Sequence, residues 1–186
     1  MTFIETVPAD AASGDLAALY EADRELRGFL PNYTQAFSRR PAVYAAWRGL
    51  VGAVTENMDP RRYELVSIAA ARALRSTYCT AAHSLVLADK WPDATMDEVD
   101  LAVVDLAEKV TRDASAVEQA DIDRLRGLGL SDDEVFDVVA AAAMRSFFAK
   151  MLDGLGAEPD AQLAAKLDPA MLETVTVGRP FASVGE

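Results

Sequence analysis

The sequence predicts an all-α fold of about eight helices, and three observations carry that reading. No stretch alternates apolar and polar residues convincingly over five or more positions, so nothing reads as a half-buried strand. Apolar residues recur instead at spacings of three and four, as in Val99, Val103, Leu106 and Val110. Helix starts are also marked repeatedly. Pro41 and Pro60 suit first-turn positions, Ser76 precedes a helical run, and Ser131 stands three residues before Glu134, the pattern of a capping box. We expect one domain over residues 1–186, with an irregular tail from about residue 157.

The elements follow in order. Residues 1–10 read as extended, and Ala11 to Arg27 as a helix whose apolar stripe is Leu16, Leu19, Tyr20 and Leu26. Gly28 and Pro31 end it, since proline pushes its predecessor out of the helical region. Asn32 is placed to cap a short helix through Phe37. Pro41 starts a helix carrying Val43, Tyr44, Trp47, Leu50 and Val54, a spacing that makes Tyr44 and Trp47 core residues rather than a cofactor platform. Asp59-Pro60 opens the next helix, Arg61 to Leu74, rich in the strong helix formers Ala, Leu and Arg.

Ser76 is expected to cap a helix from Thr77 to Lys90, which Trp91-Pro92 terminates. In Thr95 to Arg112, Val99, Val103, Leu106 and Val110 turn inward, and Asp97, Glu98, Asp100, Asp105 and Glu108 outward. Ser115 to Arg126 follows, closed by Gly127 and Gly129. The capping box at Ser131 starts a long helix to about Asp153 that is apolar nearly all round, so it is either central or covered by another subunit. Gly154 and Gly156 end it. In the tail only a short helix near Ala161 to Leu167 is legible.

Composition narrows the function. The 186 residues carry a formal net charge of −12, which disfavours nucleic acid and anionic membrane surfaces, because both demand a basic footprint. The longest apolar run, Val138 to Met151, is interrupted by Arg145 and Lys150 and falls short of the ~20 residues that span a bilayer. The first residues are acidic where a signal peptide needs a basic start, so we expect a cytoplasmic protein. A single cysteine excludes an intrachain disulfide and suits a reducing compartment.

Chemistry concentrates in one stretch. The only cysteine, Cys79, and the only histidine, His83, stand four residues apart, on one helix face a turn apart. Cys79 falls in the first turn of its helix, where free N–H groups and the positive dipole end favour a thiolate. His83 could donate to the sulfur or take its proton, and Glu64 lies one helix upstream. The plainer alternatives are a packed thiol, a structural imidazole and a surface carboxylate. One His and one Cys leave too few strong ligands for a zinc site, so neither metal nor other cofactor is expected.

The run from Glu64 through Ser76, Tyr78, Cys79 and His83 resembles the AhpD-like alkylhydroperoxidase branch of the carboxymuconolactone decarboxylase family. Its pattern is Glu, then Cys-x-x-Cys, then His four residues on. Similar segments extend from about Phe29 to Gly156. The resemblance implies an all-helical homo-oligomer that reduces hydroperoxides. In it Cys79 is the peroxide-attacking cysteine and His83 and Glu64 are the proton relay, with Ser76 and Tyr78 in support. Ser76 replaces the first cysteine, so an intramolecular disulfide is impossible and an external thiol or redox protein would have to regenerate Cys79. Two further readings remain open. One is a non-redox acid–base enzyme of the decarboxylase type using Glu64 and His83; the other is a non-catalytic helical oligomer.

Overall fold

The computed structural model describes residues 2–183, and among them the regular elements are helices, with no strand. The α-helices are α1 (Gly14–Arg27), α2 (Asn32–Ala36), α3 (Pro41–Thr55), α4 (Pro60–Ala73), α5 (Thr77–Lys90), α6 (Glu98–Asp113), α7 (Gln119–Gly127), α8 (Asp132–Leu155), α9 (Ala161–Ala164) and α10 (Pro169–Val175). Eight of these have seven residues or more. The fold class is therefore the one that periodicity indicated.

The starting signals act as the chemistry requires. Asp59 accepts the Arg62 N–H at 2.8 Å and Pro60 occupies the first turn of α4. Ser131 and Glu134 close a reciprocal capping box at α8. α4 and α8 lie at the centre: α4 packs against α5, α6 and α8, and α8 also meets α3 and α6. One core, built on Val66, Val103, Leu106 and Val138, fills the space between α4, α6 and α8. A second gathers the aromatic residues Phe37, Tyr44, Tyr78 and Phe148 with Cys79 and Leu152.

Several expectations are corrected. Leu26 is 65% exposed, and Val43 and Leu50 are also exposed, so the stripes on α1 and α3 are only partly buried. Asp100 does not face solvent. It is buried, accepts from Arg61 at 2.7 Å and forms a capping box with Asp97, which starts α6 at Glu98 rather than Thr95. The expected Ser115 to Arg126 helix is a short 3-10 turn (Ala114–Ala116), an extended Val117-Glu118 and then α7. Asn32 lies inside α2 rather than at its cap; its N–H donates to the Asp160 carboxylate at 2.8 Å. Gly154 lies within α8, and Gly156, at φ +75°, is the left-handed residue that ends it.

The tail is more ordered than its composition suggests. Asp168 caps α10 by accepting the Met171 N–H, with Pro169 in the first turn, the same device as Asp59-Pro60. Beyond α10 the chain returns to the start of α5. The Gly178 N–H donates to Thr77 Oγ1 at 2.9 Å, and Arg75 Nε donates to the Val177 carbonyl at 3.2 Å.

Candidate active site

α4 and α5 form an antiparallel pair joined by a tight turn. The turn is possible because Arg75 takes a left-handed conformation (φ 58°) and the Ser76 N–H returns to the Ala71 carbonyl at 2.8 Å. The hairpin faces Glu64 of α4 toward His83 of α5. Glu64 Oε2 and His83 Nδ1 are 2.6 Å apart, and the Tyr63 ring packs edge-on to the imidazole at 5.8 Å. A carboxylate at Nδ1 holds the proton on that nitrogen and leaves the Nε2 lone pair free as a base.

Cys79, His83 and Glu64 line one cavity of about 640 Å³. Its wall is largely aromatic: Trp47 stacks on Phe148 at 4.0 Å, and Tyr44 stacks on Trp47 at 5.9 Å. Tyr44 is thus a core member, as its spacing indicates, and Trp47 is half-buried against that core; both are cavity wall as well.

The electrostatics of Cys79 correct one expectation. The sulfur lies in the first turn of α5, but the residue is only 3% exposed. Burial pushes the thiol above its ordinary value, and Asp153 adds to this. The Arg145 guanidinium and the Ser76 hydroxyl pull the other way without prevailing. His83 is held below its ordinary value, first by burial and then by Arg145, against the opposing pull of Glu64. The resting pair at neutral pH is therefore a neutral thiol and a neutral imidazole.

Ser76 occupies the cap position of α5, yet its side chain makes no capping bond. It is fully buried, and Oγ completes no hydrogen bond of regular geometry. Its hydroxyl lies close enough to the Cys79 thiol and the Asp153 carboxyl to draw both downward. Tyr78 lines the same cavity and acts as a tie. Its hydroxyl donates to Asp160 and accepts the Tyr33 N–H at 3.2 Å, which ties α5 to α2 and to the segment before α9.

Sequence reasoning missed two cavity residues. Asp160 anchors Tyr78 and Asn32 from 82 and 128 positions away, and nothing local marks it. Arg145 is 5% exposed, lies over the Trp47 and Phe148 rings at 5.4 and 5.2 Å, and perturbs both Cys79 and His83. The signal for it was present: a lone arginine in the otherwise apolar middle of α8.

Comparison with known proteins agrees with this architecture. The model of the carboxymuconolactone decarboxylase family matches residues 41–90, the segment that contains α3, α4 and α5. No curated protein matches the chain. Among solved structures, an uncharacterized peroxidase-related protein from Ralstonia eutropha with an alkylhydroperoxidase AhpD core superposes with a TM-score of 0.76 at 21% identity, over 87% of this chain and 94% of that one. A peroxidase-related protein from Silicibacter sp. gives 0.69 at 18% identity, over 86% and 90%. The debrominase Bmp8, in a cysteine-to-alanine form bound to 2,3,4-tribromopyrrole, gives 0.71 at 14% identity, over 94% and 100%. At these identities the likeness is one of fold. The family match falls on the very helices that carry Glu64, Cys79 and His83, so over that segment the chain is similar to the carboxymuconolactone decarboxylase family.

Proposed function

We propose that the protein is a one-cysteine peroxidase. One observation supports the reading above the rest: the only thiol of the chain and the Glu64–His83 pair open into the same cavity. His83 Nε2 takes the Cys79 proton, and Glu64 stabilises the imidazolium that forms. The thiolate attacks the distal oxygen of a hydroperoxide. The O–O bond breaks, its electron pair leaves on the alkoxide, and His83 returns the proton to give an alcohol. Sulfur supplies the two electrons and becomes a sulfenic acid. An external thiol then condenses with it, releasing water. A second equivalent attacks the mixed disulfide, freeing Cys79 and carrying the oxidation away as a disulfide.

The relatives support this class without fixing the substrate. Two are described as peroxidase-related, and a third, the debrominase, was crystallised with a brominated pyrrole in its cysteine-to-alanine form. A homo-oligomer acting on a small molecule, with a thiol or redox protein as reductant, belongs to the same proposal. No described helix is long and apolar enough to cross a membrane.

Peroxide treatment should add one oxygen to Cys79, trappable by a sulfenic-acid reagent, and Cys79→Ser should abolish turnover. Unmodified Cys79 together with no consumption of peroxide would refute the proposal. A second reading has its own support. The Glu64–His83 pair is complete without sulfur, and the resting thiol is neutral, so acid–base chemistry of the decarboxylase type would leave Cys79 as wall. In that case Cys79→Ser keeps most of the activity.

A further inference from the structure

The cavity holds a charge that no described carboxylate balances. Arg145 is buried, yet no carboxylate among the described residues forms an ion pair with it, and its Nε finds no hydrogen-bond partner. Its polar neighbour is the Cys79 thiol, which burial keeps neutral. An unpaired guanidinium buried against aromatic rings is costly, and natural folds rarely keep one without use. The carboxylates of the lining are already engaged. Asp23 binds Thr34, Tyr44 and Arg48; Glu64 binds His83; Asp160 binds Tyr78 and Asn32. Two further lining cations, Arg27 and Lys166, have no ion pair among the described residues.

We propose that this cavity binds a small monocarboxylate with an apolar body, its carboxylate seated on Arg145 and its body against Trp47 and Phe148. The planar guanidinium suits a carboxylate. The stacked rings ask for an apolar remainder, and a cavity of about 640 Å³ suits an occupant of small-molecule size. One buried guanidinium seats one carboxylate, so a monoanion is the occupant that Arg145 asks for. The proposal does not depend on the redox step: binding needs Arg145 and the aromatic wall, whereas turnover needs Cys79.

The test is calorimetric titration of the full chain at pH 7 with octanoate, phenylpropionate and naphthoate, each against its neutral amide. At least one acid should bind about tenfold or more tightly than its amide, the difference carried by a charge-assisted hydrogen bond. Arg145→Met should erase that preference and Arg145→Lys should keep part of it. Cys79→Ser should bind the acid as the parent protein does, which separates this proposal from the peroxidase. A bound acid should also slow alkylation of Cys79, because it both fills the cavity and cancels the cation beside the thiol. Equal affinity for acid and amide, no binding of any acid, or a preference that survives Arg145→Met would overturn it. Arg145→Met circular dichroism and melting serve as the folding control, and a misfolded variant leaves the decision to the acid–amide comparison in the parent protein.

Discussion

Competition between two effects decides the state of Cys79, and their magnitudes decide the winner. A helix N-terminus contributes roughly 0.3–1 kcal/mol toward an anion, up to about 2 in favourable geometry. Full burial opposes ionisation by up to about 3–5 pKa units, which is several kcal/mol. The sequence displays the first effect, because Ser76 and the helix start are visible in it, and conceals the second, because burial is a property of the packed chain. Alkylation of Cys79 should therefore rise with pH along a curve displaced above the ordinary thiol range, and Arg145→Met should displace it further. A midpoint at or below that of free cysteine would contradict this. His83 supplies a second pH dependence. Its folded value lies below the ordinary 6.5, so as pH falls through about 6.5 the unfolded chain takes up a proton that the native one resists. Stability is thus fully present above that value and declines below it. Urea midpoints measured from pH 7.5 to 5 should fall, and His83→Gln should flatten the part of the slope that this group contributes.

Helices were legible wherever their ends were written in short-range chemistry. Asp59-Pro60, Ser131 with Glu134 and the break at Trp91-Pro92 needed nothing but their neighbours. α10 carries the same Asp-Pro signature at Asp168-Pro169, but the absence of an apolar period after it hid the helix. What could not be read was how the tail docks. A Cβ on Gly178 would lie 1.8 Å from the Arg75 carbonyl oxygen, so only glycine lets the segment reach the start of α5. Arg72 and Arg75 donate to the carbonyls of Thr174 and Val177 along the same seam. Gly178→Ala should lift this strap, and chymotrypsin should then cleave after Phe181 several-fold faster while the helix content stays unchanged. Equal cleavage rates would show that the seam does not hold the tail. The Tyr78 hydroxyl is the corresponding joint on the cavity side. Tyr78→Phe strands the buried Asp160 carboxyl and should cost about 1–3 kcal/mol in denaturant unfolding. Asp160→Asn, which retains an acceptor, should cost less.

The whole molecule leaves large apolar side chains uncovered. Phe136 is 70% exposed and Phe147 41%, and an offset of eleven residues makes about three turns, so both lie on one side of α8. On α3, which packs against α8, Val43 and Leu50 are 40% and 49% exposed. Such residues scattered singly would need no explanation, but pairs at helical spacing on two adjoining helices form the kind of surface a second copy covers. The nearly all-round apolar character of α8 already pointed to this, because the core of one chain uses only part of its circumference. The net charge of −12 opposes association at low ionic strength, since two like-charged copies repel. Sedimentation should therefore show a species heavier than the 20.0 kDa chain, and its dissociation should be favoured as salt is withdrawn. Phe136→Glu combined with Phe147→Glu adds charge where apolar contact is needed and should yield a monomer of unchanged helicity. A parent protein that sediments as a monomer at every salt concentration would leave that side of α8 as ordinary surface, while the cavity, which every described lining residue supplies from one chain, would keep its geometry.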